Sequence, residues 1–162
     1  MDTPPQIRIL QAETDAQIAA VRELFTEYRQ LLGVDLSFQA FADELASLPG
    51  AYAPPSGRLL LAIRDDVYAG CVALRAWTAD DCEMKRLYVR PAFRRQGLGR
   101  RLVTEVIAQA VALGYKRMCL DTLPNMERAQ DLYRSFGFQE IPPYRFNPVP
   151  GARYMALALQ RS

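Results

Sequence analysis

Apolar positions along this chain follow two rhythms. After Thr14 and Asp15, either of which can cap a helix, Ile18, Val21, Leu24, Phe25, Tyr28, Leu31 and Leu32 recur at three- and four-residue steps. That spacing is one face of a helix, and Gly33 is its stop. The same period returns over Leu98–Leu113. There Leu98, Leu102, Val106 and Ala110 form one row beside Val103, Ile107 and Val111, and Gly114 ends it. It recurs over Asn125–Phe136, stopped by Gly137, and over Phe38–Leu48, closed by Pro49-Gly50. Between the helices lie short strand-like runs: Gln6–Leu10, Arg58–Arg64, Val67–Trp77, Glu83–Val89, Lys116–Thr122, Phe138–Ile141 and Arg153–Leu159. Asp65-Asp66 reads as a hairpin turn and Thr78–Asp81 as a polar turn. A loop with Pro142, Pro143, Pro148 and Pro150 precedes the last strand.

The predicted order is β-α-α-β-β-β-α-β-α-β-β. No repeat, linker or low-complexity tract interrupts it, so residues 1–162 read as a single α/β domain with a mixed sheet.

Composition changes this picture mainly by what is missing. The chain has no histidine. That excludes a Ser-His-Asp triad, a Cys-His pair and zinc sites that need imidazole. Proton transfer near neutral pH then falls to a carboxylate, a phenol, a thiol, an amine or water. The cysteines, Cys71, Cys82 and Cys119, are odd in number and form no C-x-x-C, so neither a disulfide framework nor a thiolate metal site is expected. Cys71 and Cys119 sit in apolar strands, and Cys82 lies between Asp81 and Glu83, which disfavours a thiolate nucleophile. The first residues, Met1-Asp2-Thr3-Pro4-Pro5, do not resemble a secretory signal, and no apolar stretch approaches membrane-spanning length. A cytoplasmic protein without a membrane partner is the expectation.

Net charge is +2, but its distribution is uneven. Residues 1–50 hold eight acids against three arginines, while residues 84–104 hold Lys85, Arg86, Arg90, Arg94, Arg95, Arg100 and Arg101 with no acid. Such a block suits an anionic partner or a solvated face. Nucleic acid is not the expected partner, because only Tyr88 and Phe93 interleave the bases and acids elsewhere balance them.

The basic block leads from a strand into a helix, with Gly97 and Gly99 at the entry. Free N–H groups in a helix's first turn, together with its dipole, hold phosphates. The spacing is neither Walker A nor a dinucleotide fingerprint, since position 102 is leucine. It is R-x-x-G-x-G, filled by Arg94, Gly97 and Gly99 and preceded by Leu87-Tyr88-Val89-Arg90-Pro91. Here the chain resembles the GNAT superfamily of acetyl-coenzyme A dependent N-acetyltransferases. A second signature of that family, N-x-x-A-x-x-L-Y-x-x-x-G-F, is matched by Ala129, Leu132, Tyr133, Gly137 and Phe138, with Asn125 one position upstream of its asparagine.

The resemblance covers about residues 6–159 and implies a fold whose central strands splay after a bulge. It implies acetyl-coenzyme A as co-substrate, no metal, and an amine acceptor, either a small molecule or a peptide. Acetyl transfer would be direct, through a tetrahedral intermediate. Leu87 and Val89 would bind the pantetheine arm, and the Val89 or Tyr88 N–H would face the oxyanion. The N–H groups of Gln96, Gly97, Leu98, Gly99, Arg100 and Arg101 would hold the pyrophosphate, with Arg94 and Arg95 adding charge. Asn125, Ala129 and Leu132 would flank the arm, and Tyr133 would protonate the leaving thiolate. Asn125 on the residues alone is a helix N-cap, and Tyr133 a core tyrosine. Glu83 is the first choice of base against a surface carboxylate, with Asp121 second and a water chain third.

Because the first two helices commonly wall the acceptor site in this family, the acidic N-terminal half points to a cationic acceptor. Glu27, Tyr28, Asp35 and Tyr52 are the candidate contacts. A homodimer is the assembly expected by analogy. The rival reading is a non-catalytic acyl-coenzyme A sensing module.

Overall fold

The computed structural model describes residues 6–33 and 41–159. Seven strands form one mixed sheet in the order β1-β2-β3-β4-β5-β7-β6. They are β1 (Ile7–Gln11), β2 (Arg58–Arg64), β3 (Val67–Ala76), β4 (Asp81–Val89), β5 (Arg117–Thr122), β6 (Gln139–Glu140) and β7 (Arg153–Ala158). The helices are α1 (Asp15–Leu32), α2 (Phe41–Ser47), α3 (Leu98–Leu113) and α4 (Glu127–Ser135). Every neighbouring pair is antiparallel except β4 and β5. The element order matches the expectation, and the bounds of β2 and α3 coincide with it. The start of the expected second helix, 38–40, lies outside the described residues.

Local chemistry accounts for the helix ends. Thr14 Oγ1 accepts the Gln17 N–H at 3.1 Å, and Gln17 Oε1 accepts the Thr14 N–H at 3.0 Å, a reciprocal cap on α1. Gly33 closes α1 in the left-handed region at φ 66°, a conformation glycine adopts without steric cost.

The sheet carries a core on each face. Leu60, Val72, Leu74, Cys82, Met84 and Met118 pack with α3 and Tyr133 on one side. Leu59, Leu61, Cys71, Ala73 and Tyr88 pack with α1, Phe41 and Tyr52 on the other. Central strands are therefore apolar on both faces, which is why Leu59–Ile63 reads as an unbroken apolar run.

One irregularity shapes the centre. Between Cys71↔Tyr88 and Ala73↔Lys85 the register slips by one, so β4 carries an extra residue. Arg86 sits there at φ 61°. The slip reverses which residues face which core. Cys82 and Met84 point to the α3 side before it, and Leu87 and Val89 after it.

The β3–β4 contact opposite this region is tight. A Cβ at Gly70 would lie 2.5 Å from the Tyr88 carbonyl oxygen and 3.2 Å from Val89 Cα, both backbone atoms that cannot swing away. Gly70→Ala is expected to destabilise the protein by about 1–3 kcal/mol. Urea unfolding of the variant and parent would measure it.

Candidate active site

Strands β4 and β5 pair only at Asp81↔Arg117, Cys82↔Met118 and Glu83↔Cys119. Beyond Glu83 they part, with β4 following β3 and β5 following β7. The Arg90 N–H donates to Ala69 O at 2.8 Å. Antiparallel alternation then turns the backbone of Tyr88 toward β3, and that of Leu87 and Val89 toward the gap. The Val89 carbonyl accepts from Arg94 Nε at 3.2 Å, which leaves its N–H as the group facing the gap. The expectation that the Tyr88 N–H shares this role is corrected: its backbone belongs to the β3 ladder.

A cleft of about 690 Å³ opens on the gap. Its lining includes Leu87, Tyr88, Val89, Arg94, Arg95, Gly97, Leu98, Gly99, Asn125, Ala129 and Leu132, eleven of the positions that the sequence motifs singled out. At its α3 end, Arg95 (φ 64°) and Gly97 (φ 80°) turn the backbone sharply. The N–H groups of Gln96 through Arg100 make no hydrogen bond among the described residues. Five converging donors at a helix start form an anion cradle. The Arg101 N–H is corrected out of this set, because it donates to Gly97 O at 3.0 Å within the helix. The Arg100 side chain is also occupied. It donates to Ser135 Oγ at 3.0 Å and stacks over Phe136, tying α3 to the end of α4. Asn125 lines the cleft but is not the cap of α4; Met126 holds that position, with no side-chain bond.

A second, smaller cavity of about 50 Å³ adjoins the gap from the α1 side. It is lined by Tyr28, Leu32, Lys85, Arg86, Asp121, Thr122, Leu123, Asn147 and Val149. Tyr28 lines both spaces, so they adjoin at that residue. Burial pushes the Tyr28 phenol up to about 12. Asp121 Oδ2 accepts from Asn147 Nδ2 at 3.0 Å. Sequence reasoning found Tyr28 and Asp121 but missed Lys85, Arg86 and Asn147. The bulge brings the two bases to the cavity, and a long loop brings Asn147; neither leaves a local signature.

Tyr133 is buried, with 7% of its surface exposed, and packs on Phe138 at 5.7 Å between centroids. It lines neither space as a wall. Burial raises its pKa, and Tyr28 and Asp121 act on it in the same direction. Tyr52, Tyr88, Tyr115 and Tyr144 all donate to internal oxygens, whereas the Tyr28 and Tyr133 hydroxyls have no partner among the described residues.

Glu83 is neither a surface carboxylate nor a poised base. It is fully buried and caged. Arg75 Nε lies 2.8 Å from one oxygen, and Arg145 Nη1 and the Tyr144 hydroxyl lie 2.9 and 2.6 Å from the other. Burial alone would raise its pKa, but Lys85, the Tyr144 bond, Arg145 and Arg75 outweigh it and hold the carboxyl below its ordinary value. The base expectation for Glu83 is therefore corrected.

Two candidate acceptor contacts also prove internal. Glu27 takes both nitrogens of Arg90, at 3.0 and 2.8 Å, and the Tyr88 hydroxyl at 3.1 Å. Tyr52 is a core residue bonded to Glu44 at 3.1 Å. Asp35 lies outside the described residues. Burial raises the pKa of all three cysteines, consistent with inert core thiols.

Comparison with known proteins agrees with this geometry. The model of the Acetyltransferase (GNAT) family matches residues 18–138. A Schizosaccharomyces pombe protein described as an uncharacterized N-acetyltransferase is 42% identical over 99% of this chain and 100% of its own length. An Azospirillum brasilense protein described as an IAA acetyltransferase is 33% identical over 84% of this chain and 88% of its own. Among solved structures, an acetyltransferase from Streptococcus agalactiae superposes with a TM-score of 0.79 at 21% identity, covering 94% of this chain and 98% of that one. A Salmonella typhimurium structure holding acetyl-CoA superposes at 0.67 and 22%, covering 96% and 95%.

The Glu83 cage makes a stability claim with a definite sign. Its folded pKa lies below the unfolded value, so its contribution is complete above the unfolded pKa. It is lost as pH falls through the folded one. Glu83→Gln is expected to cost about 3 kcal/mol at neutral pH, because it removes the buried charge that two half-buried guanidiniums share. It also removes part of the acid-side loss of stability. Urea unfolding of both proteins across acid pH would check both effects.

Proposed function

The chain belongs to the GNAT family of N-acetyltransferases, and from that premise we propose that residues 1–162 act as one catalytic domain that moves an acetyl group from acetyl-coenzyme A directly to a primary amine. The observation that carries this is the junction at Tyr28. A coenzyme-sized cleft with five free N–H groups at one end meets a small polar cavity at the other.

The coenzyme supplies an activated thioester. The Gln96–Arg100 N–H groups, with Arg94 and Arg95, bind its pyrophosphate. Leu87 and Val89 accept the pantetheine arm along the open edge of β4, in the manner of an added strand. The amine attacks the carbonyl directly, and the Val89 N–H donates to the oxygen that becomes negative. Asp121 is the carboxylate in the lining of the acceptor cavity, and it holds the amine and receives its proton, directly or through water. Tyr133 keeps its own proton at neutral pH and donates a hydrogen bond to the departing thiolate. With all three thiols held protonated by burial, an acyl-cysteine route has no nucleophile.

The acidic residues that suggested a cationic acceptor are spent on internal pairs at Glu27 and Glu44, so that support is withdrawn.

Tyr133→Phe is expected to lower kcat by about 10–100-fold while leaving coenzyme affinity within twofold, the pattern of a group that acts in the transition state. Thiol release with an amine panel, paired with calorimetric titration of coenzyme A, would measure both. Coenzyme binding with no turnover on any amine, in the parent protein, would instead favour the sensing module.

A further inference from the structure

Lys85 is the charged group in the acceptor cavity that the mechanism leaves unused. It is half-buried at the bulge and lines the cavity together with Asp121. Among the described residues it has no ion-pair or hydrogen-bond partner. Its surroundings make this notable. Arg86 is matched by both oxygens of Glu44, each at 3.1 Å. Arg75 and Arg145 share Glu83. Asp121 is bonded by the neutral Asn147. Four cations thus meet three carboxylates, Glu44, Glu83 and Asp121, and among the described residues Lys85 is the one of the four that bonds to none of them.

An ammonium stripped of water and left without a counter-charge is costly. Burial and the neighbouring Arg86 push the Lys85 amine down to about 8, with Glu83 and Asp121 opposing. An anion seated against Lys85 would complete the charge balance. In the transferase reading the amine to be acetylated sits beside Asp121, which lines the same small space. The cavity is small next to the coenzyme cleft, which suits a compact head group carrying both charges.

We propose that the acceptor is an amine that carries its own carboxylate, of the amino-acid class, with the carboxylate paired to Lys85 and the amine held by Asp121. This rests on the transferase reading above, and it replaces the cationic acceptor that the charge distribution suggested.

The test uses the full chain, acetyl-coenzyme A and matched acceptor pairs: amino acids and their carboxamides, which differ in the negative charge and keep the amine. The parent protein is expected to favour the carboxylate member by about tenfold or more in kcat/KM, the worth of one charge-assisted hydrogen bond. Lys85→Met is expected to reduce that ratio by about tenfold, chiefly through KM, and Lys85→Arg to keep most of it. A thermal shift by coenzyme A in each variant shows that it is folded and that the cleft is intact. Equal use of acids and amides, or a preference that survives in Lys85→Met, would overturn the inference while leaving the transferase reading standing. Failure on both arms with turnover of other amines would overturn the inference alone, and failure on every amine of the wider panel would overturn both.

Discussion

A single extra residue in β4 organises this protein. The bulge at Arg86 has three consequences at once. It brings Lys85 and Arg86 to the same small cavity. It reverses the facing of β4, so that Leu87 and Val89 join the α3 side. It also lies where β4 has lost β5 as a neighbour and therefore presents an unpaired edge. A left-handed conformation at a non-glycine residue costs about 1–3 kcal/mol and persists only where its surroundings enforce it. Here the enforcement is visible. The guanidinium of Arg86 is gripped by Glu44 and lies over the Phe41 ring at 5.2 Å, while Tyr52 steadies Glu44 from behind. The short helix α2 holds the bulge in place from outside the sheet.

The same contacts explain the uneven charge along the chain. The acidic N-terminal half and the basic middle segment meet in space. Glu44 binds Arg86, and Glu23 and Glu27 bind Arg90. These pairs dock α1 and α2 onto β4 and consume charge that in sequence looks available for ligands. What remains is divided by position. Arg94 and Arg95 line the large cleft, and Lys85 lines the small cavity. Net composition could not reveal this division, because it depends on which charges are neutralised internally.

Legibility in the sequence followed the range of the interactions involved. Helix periods, glycine stops and the R-x-x-G-x-G turn are local, and they located α3, its cradle and the strand before it with little error. The small cavity is non-local. It is assembled from α1, the bulge in β4, the end of β5 and the loop before β7, and only Tyr28 and Asp121 were found in advance. Glu83 shows why spacing alone misleads. Its place on β4 suits a base, but Arg75 reaches it from the adjacent strand, and Tyr144 and Arg145 from sixty residues further along.

The absence of histidine gives the remaining argument its force. Without imidazole, the junction handles protons with groups whose ordinary pKa values lie far from neutrality. Glu83 cannot take the proton economically, because protonation would abandon two guanidiniums in a buried site. Burial raises the pKa of Tyr133 and Tyr28, which suits them to donate hydrogen bonds near neutral pH and not to act as bases. In the proposed reaction, the group left to receive a proton from the amine is Asp121, and the group left to tune the acceptor is Lys85. An acceptor carboxylate against Lys85 would fix that ammonium in its charged form and leave Asp121 as the sole uncompensated anion facing the amine. Substrate binding itself would then set the charge state in which transfer proceeds.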